Sequence, residues 1–216
     1  MSNKLDTQNL HAIINSLPQQ FLDGYKSTDV KISADTKKIV FCGMGGSALP
    51  ANLLKTYIST AKLDFHVSIK INRDYALPKA VDQTWCGFFN SYSGNTEETL
   101  FALKEAEKRG LKNIVILAHT GELKKIAEKK KYSFIQIPDA KQPRMAYGFY
   151  VGALLKVLKN SGLIKFDEKN FAKDILKAQS VVTTLEKQAQ RLAKSAKDKV
   201  ILVYTTNKWK YTKLFY

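Results

Sequence analysis

The sequence predicts an α/β protein, a three-layer α/β/α sandwich around a flavodoxin-like parallel sheet. Three observations carry this. Short apolar runs alternate with segments of helical periodicity along most of the chain. The connections between them are short. Two loops rich in glycine and hydroxyl residues each sit at the end of an apolar run and before a helical segment, where such sheets bind ligands.

Taken in order, Leu5 to Tyr25 reads as an amphipathic helix with Leu10, Ile13, Ile14 and Leu17 on one face, and Pro18 is expected to interrupt or kink it. The first strand runs from Lys38 to Cys42, and a helix from Ala48 to about Ser59 follows. Phe65 to Ile71 alternates as a second strand, and residues 72–78 form a loop. Thr84 to Asn90 is the third strand. Thr96 to Arg109 is a helix ending at the glycine cap Gly110. Asn113 to Ala118 is the fourth strand, Glu122 to Lys131 a short helix, and Tyr132 to Ile137 the fifth strand. Pro143 precedes a helix from about Met145 to Asn160. A long helical stretch runs from Asp167 to about Lys197, and Val200 to Tyr204 reads as a further strand. The expected division is a helical segment over 1–35, the α/β domain over 36–165, a connecting helix over 166–198, and the start of a second domain over 199–216.

A chain of 216 residues that is 44% hydrophobic can bury one substantial core. No apolar run approaches the roughly 18 residues of a membrane span, and the first thirty residues do not read as a signal peptide. Cys42 and Cys86 fall in expected strands and read as small apolar residues of a reduced, cytoplasmic protein. His11, His66 and His119 are scattered without ligand spacing, so no metal is expected. The formal charge of +16 raises nucleic-acid binding. Only four of the cations are arginines, however, and the densest lysine run, Lys124 to Lys131, closes a helix without interleaved aromatics. Solvated faces explain it better.

The chemistry lies in three elements. The first loop, Gly43-Met44-Gly45-Gly46-Ser47-Ala48, fits a loose dinucleotide pattern, but the second strand ends Lys70-Ile71-Asn72 without the ribose-binding acid. The second loop reads Ser91-Tyr92-Ser93-Gly94-Asn95-Thr96-Glu97-Glu98. Helix capping by Asn95 or Thr96 explains its later half, but not Ser91 and Ser93. Glycines, hydroxyls and a helix start together suit a phosphate. The third element, Gln142-Pro143-Arg144, sets a scarce arginine beside a rigid proline, and its planar guanidinium suits an enediolate or carboxylate.

These three elements, with Asp74-Tyr75-x-Leu77-Pro78, resemble the sugar isomerase (SIS) domain, and within it the bifunctional phosphoglucose/phosphomannose isomerases. The resemblance implies a cytoplasmic, cofactor-free and metal-free enzyme that interconverts glucose 6-phosphate or mannose 6-phosphate with fructose 6-phosphate. Gly46, Ser47, Ser91, Ser93 and Thr96 would hold the phosphate, and Arg144 would be catalytic, stabilising the enediolate. The expected partners are a phosphorylated hexose and a second copy in a homodimer, with neither membrane nor nucleic acid. The family also has a second SIS domain with a glutamate base, and the resemblance reads this chain as C-terminally truncated before it. His119 stands where relatives more often carry Thr or Ser. The alternative reading is a phosphosugar-binding module without catalysis.

Overall fold

The computed structural model describes residues 6–202. Five strands form one sheet: β1 (Lys38–Cys42), β2 (Ser68–Asn72), β3 (Cys86–Asn90), β4 (Asn113–Ala118) and β5 (Ser133–Gln136). Every ladder is parallel and the order is β2-β1-β3-β4-β5. That is the flavodoxin-like order expected from the sequence.

The strands explain both helical layers. Side chains alternate across a strand, so neighbours go to opposite faces. Phe41, Phe88, Val115 and Leu117 pack on one side. Val40, Cys42, Phe89, Ile116 and Ala118 pack on the other. The first face is covered by α3 (Leu49–Thr60) and α6 (Tyr147–Asn160), and the second by α4 (Glu97–Lys108) and α5 (Glu122–Lys130). A sheet covered on both faces needs strands that are mostly apolar, and β3 and β4 are, apart from Asn90 at the end of one and Asn113 at the start of the other.

The N-terminal segment splits into α1 (Leu10–Asn15) and α2 (Leu17–Lys26), with Pro18 in the first turn of α2, where its missing N–H costs nothing. The α2 helix lies directly on α6. Gly24 faces the Phe149 carbonyl and Gly152 the Phe21 carbonyl, so close that a Cβ at either glycine would stand 2.2 Å from the oxygen. The long helix α7 (Glu168–Ala196) starts at Asp167, whose carboxylate accepts from the N–H groups of Lys169 and Asn170. Phe171 closes an aromatic cluster with Tyr25 and Phe166.

Three strands differ from expectation. Phe65 to Val67 lie outside β2, which runs on to Asn72, Thr84 and Trp85 precede β3, and Tyr132 and Ile137 flank β5. Residues 200–202 form no strand and are exposed; Val203 and Tyr204, the rest of that expected strand, lie outside the described residues. Among the described residues no helix is long and apolar enough to cross a membrane.

Candidate active site

The order of strands reverses between β1 and β3, and the two informative loops leave the carboxyl ends of those two strands. Such a switch point opens a crevice, because the chain departs in opposite directions on either side.

Hydrogen bonds tie the loops together. After β1, the chain enters a 3-10 turn over Gly45–Ala48. Its Ser47 is buried, and its hydroxyl accepts from the N–H of Tyr92 at 3.3 Å. The Asn90 amide donates to the Ser47 carbonyl. The end of β3 therefore holds both the backbone and the side chain of the first loop.

The second loop gathers its hydroxyls. Ser91, fully buried, has its Oγ 2.7 Å from Thr96 Oγ1 and 3.4 Å from Ser93 Oγ, and it accepts from the Gly94 N–H at 3.1 Å. Thr96 occupies the N-cap position of α4, yet its hydroxyl turns to Ser91 and makes no cap bond. Asn95 does cap a helix, but α5 rather than α4: its Oδ1 accepts from the Glu122 N–H at 2.8 Å. A reading limited to neighbouring residues assigns both capping groups to α4, because the α5 start lies 27 positions away.

Glycine fixes the loop from below. Gly94 has φ +71°, and a Cβ there would lie 1.7 Å from the Thr120 carbonyl oxygen. The hydroxyl loop can sit on the β4–α5 connection only if residue 94 has no side chain.

The third element reaches the first. Pro143–Met145 forms a 3-10 turn ahead of α6, and a Cβ at Gly46 would meet Pro143 Cβ at 3.4 Å and the Tyr147 hydroxyl at 3.6 Å. The Arg144 side chain is exposed at this junction. Burial pushes the Tyr147 phenol above its ordinary pKa, while the nearby Arg144 charge works against that.

All six expected site residues thus fall in one cluster: Gly46, Ser47, Ser91, Ser93 and Thr96 around the switch point, with Arg144 on the turn beside Gly46. The amino end of the twelve-residue α4 adds its partial positive charge. Hydroxyl donors, a helix start and a guanidinium are groups from which an anion site can be built.

Tyr92 and His119 complete the floor. Their rings stack with centroids 5.3 Å apart and an interplanar angle of 13°. The His119 Nδ1 lies 2.8 Å from the Ile137 carbonyl. A carbonyl only accepts, so Nδ1 carries the hydrogen. The Tyr92 hydroxyl donates to Asp139 at 3.0 Å and accepts from the Ala140 N–H at 2.7 Å. Neither Tyr92 nor Tyr147 is marked by the sequence as part of the site, although the serines on both sides of Tyr92 are a usable signal.

A bifunctional phosphoglucose/phosphomannose isomerase from Caldicellulosiruptor bescii is 40% identical over 157 residues, covering 70% of this chain and 45% of the relative. A namesake from Aquifex aeolicus is 34% identical over 170 residues, covering 79% of this chain and 50% of the relative. A D-glucosamine-6-phosphate 4-epimerase from Sulfolobus acidocaldarius is 30% identical over 189 residues, covering 88% and 58%. The chain spans about half the length of the curated relatives it matches. No family model matches the chain.

Solved structures share the fold. The C-terminal domain of glucosamine-fructose-6-phosphate aminotransferase from Francisella tularensis superposes with a TM-score of 0.59 at 16% identity, covering 92% of this chain and 62% of that one. A protein assigned as a phosphosugar isomerase from Salmonella typhimurium LT2 gives 0.57 at 19%, covering 88% and 56%. Fold, loops and relatives together define a sugar isomerase (SIS) domain. Within that class, the chain is similar to the bifunctional phosphoglucose/phosphomannose isomerases, about half of whose length it covers.

Proposed function

We propose that this chain binds hexose 6-phosphates and serves the interconversion of glucose 6-phosphate or mannose 6-phosphate with fructose 6-phosphate. One observation carries the reading: four hydroxyl residues, Ser47, Ser91, Ser93 and Thr96, gather at the switch point, at the start of α4 and next to the Arg144 turn. The hydroxyls and the Gly46 backbone take the phosphate. Arg144 faces the other end of the sugar and stabilises the enediolate formed as a proton moves between carbons 2 and 1. The reaction as proposed needs neither metal nor cofactor. The protein acts in the cytoplasm, as a homodimer.

A second reading, a phosphosugar-binding module without catalysis, is favoured by the state of the nearby carboxylates. Glu97 accepts from the Tyr75 hydroxyl, and Asp139 from Tyr92 and Lys141. Both are engaged as hydrogen-bond acceptors. The family resemblance assigns the base to a glutamate of a second SIS domain.

Calorimetric titration with fructose 6-phosphate, beside a coupled isomerase assay, tests both. Binding with turnover, by the chain alone or once a second SIS domain is supplied, supports the enzyme, and binding without turnover in either case supports the module. Absence of binding by fructose 6-phosphate, glucose 6-phosphate and mannose 6-phosphate alike refutes the site. Glucosamine 6-phosphate belongs in the panel, given the epimerase relative.

A further inference from the structure

The Tyr92 hydroxyl joins two loops that the sequence keeps 47 positions apart. On one side, the Tyr92 N–H donates to Ser47 Oγ, and the Tyr92 carbonyl accepts from the His119 N–H at 3.0 Å. The residue is therefore anchored in the hydroxyl cradle. On the other side, its phenol donates to Asp139 Oδ1 and accepts from the Ala140 N–H. Asp139 Oδ1 also accepts from the Lys141 N–H at 2.9 Å, and its Oδ2 lies 2.9 Å from the Lys141 ammonium. Lys141 takes a left-handed φ of +63°. The chain continues through Gln142 N–H to the Ala140 carbonyl at 2.6 Å and Met145 N–H to the Gln142 carbonyl at 2.9 Å. An unbroken series of hydrogen bonds thus runs from the cradle through Tyr92 to the turn that carries Arg144.

We propose that Tyr92 is a positioning residue: its hydroxyl clamps the 139–145 segment to the hydroxyl loop and so sets the distance between the phosphate cradle and the Arg144 guanidinium. The inference rests on the phosphosugar reading of the site and adds how its two ends are held in register. A ligand with an anion at each end needs that spacing fixed before it binds, whereas a lone phosphate does not. Asp139 suits the role, because its carboxylate is held ionised by the Lys141 N–H, the Lys141 ammonium and the Tyr92 hydroxyl.

The test uses Tyr92→Phe in the full chain, which keeps the ring and its stacking on His119 and removes only the hydroxyl. Without ligand, amides 140–146 should exchange about tenfold faster, while those of β3 and α4 stay unchanged. Inorganic phosphate should bind within about twofold of wild type, and 6-phosphogluconate about tenfold more weakly. In an Arg144→Ala background, Tyr92→Phe should cost no further affinity for 6-phosphogluconate. Asp139→Asn is the second variant and should shift the same readouts in the same direction.

Unchanged exchange over 140–146 in both variants overturns the clamp, whatever the ligands do. Equal losses for phosphate and 6-phosphogluconate, or an undiminished loss in the Arg144→Ala background, overturn the positioning role. Failure of the wild type to bind either anion refutes the phosphosugar reading instead, and the exchange data still decide whether the clamp exists.

Discussion

Ser91 Oγ and Thr96 Oγ1 stand 2.7 Å apart across the turn from β3 to α4. The pair has two hydroxyl hydrogens, and one is spent between the two oxygens. If Ser91 donates, the Thr96 hydrogen is left over. If Thr96 donates, Ser91 turns its own toward Ser93 at 3.4 Å. Either way, the series of hydroxyls ends in a donor that needs an acceptor. In the proposed function a phosphate oxygen supplies one.

Removing these donors should therefore remove the ligand. The Ser91→Ala/Ser93→Ala/Thr96→Ala variant should lose roughly 2–4 kcal/mol of fructose 6-phosphate binding, at about 0.5–1.5 kcal/mol for each ordinary hydrogen bond. Titration calorimetry reads this directly. Equal affinity in the variant and the wild type removes these residues from the site.

Two glycines in the two loops should respond differently to alanine. At Gly94, the new Cβ would fall 1.7 Å from a backbone oxygen, so Thr120 and the whole β4–α5 connection must move. Gly45 also has a positive φ, +49°, but no atom lies within 4 Å of its would-be Cβ. Gly45→Ala should cost only the left-handed strain, about 1–2 kcal/mol. Gly94→Ala should cost more than that and displace the hydroxyls as well. Thermal unfolding with fructose 6-phosphate titration separates them; similar behaviour of the two variants contradicts the close packing at Gly94.

Much of this fold is legible in the chain because its signals are local. Asn113 to Ala118 is apolar enough to read as a buried strand, and the structure gives those same bounds. Gly110, with φ +75°, closes α4 as expected. The alternation from Phe65 to Ile71 is real but overruns β2, because the ladder with β1 begins only at Lys38 opposite Ser68. In the site, the hydroxyls were readable as a group, since Ser91, Ser93 and Thr96 share one loop. The bond from Tyr92 to Asp139 and that from Asn95 to Glu122 were not, because each joins segments that only the folded sheet brings together.

The thiols should be inert in the native protein. Burial pushes both Cys42 and Cys86 up to about 12. At pH 8, roughly one thiol in 10⁴ would then be ionised, even before access is considered. A disulfide reagent such as DTNB should titrate neither cysteine in the folded chain and both in guanidinium. Rapid native reaction of either would show that β1 or β3 is open to solvent.

Asp139 gives the clamp its pH dependence. The Lys141 N–H, the Lys141 ammonium and the Tyr92 hydroxyl pull its carboxyl down to about 2. The folded value is the lower one. Its stabilising contribution is thus fully present above the ordinary carboxylate pKa of about 4, and is lost as pH falls from there through about 2. Between pH 5 and pH 8, the 139–145 segment should keep its conformation without change. Carboxyl ¹³C NMR should place the Asp139 midpoint well below those of exposed aspartates, and Tyr92→Phe should raise it. A midpoint near 4 in the wild type would mean that the contacts with Lys141 and Tyr92 are not kept in solution.

Turnover by the 216-residue chain is the sharpest question the site poses. In the proposed reaction the cradle and Arg144 hold a sugar phosphate and stabilise an enediolate, but the first step of that reaction removes a proton from carbon 2. Arginine stays protonated, and a serine or threonine hydroxyl is a weak base without a partner. A positioned general base contributes on the order of 10²–10⁴-fold, so a site that works without one should show the deficit plainly in a coupled assay with fructose 6-phosphate formation as the readout. The expected result is measurable binding with very slow turnover. Adding the C-terminal half of a family member, fused or in trans, should raise the rate, and Arg144→Ala should abolish the gain. If the chain alone turns over at a rate typical of an isomerase, a base must lie within it. His119 is then the first group to examine, because its Nδ1 donates to the Ile137 carbonyl and its ring lies on Tyr92 beside the hydroxyl loop. Loss of that activity in His119→Ala, with sugar-phosphate binding intact, would assign the step.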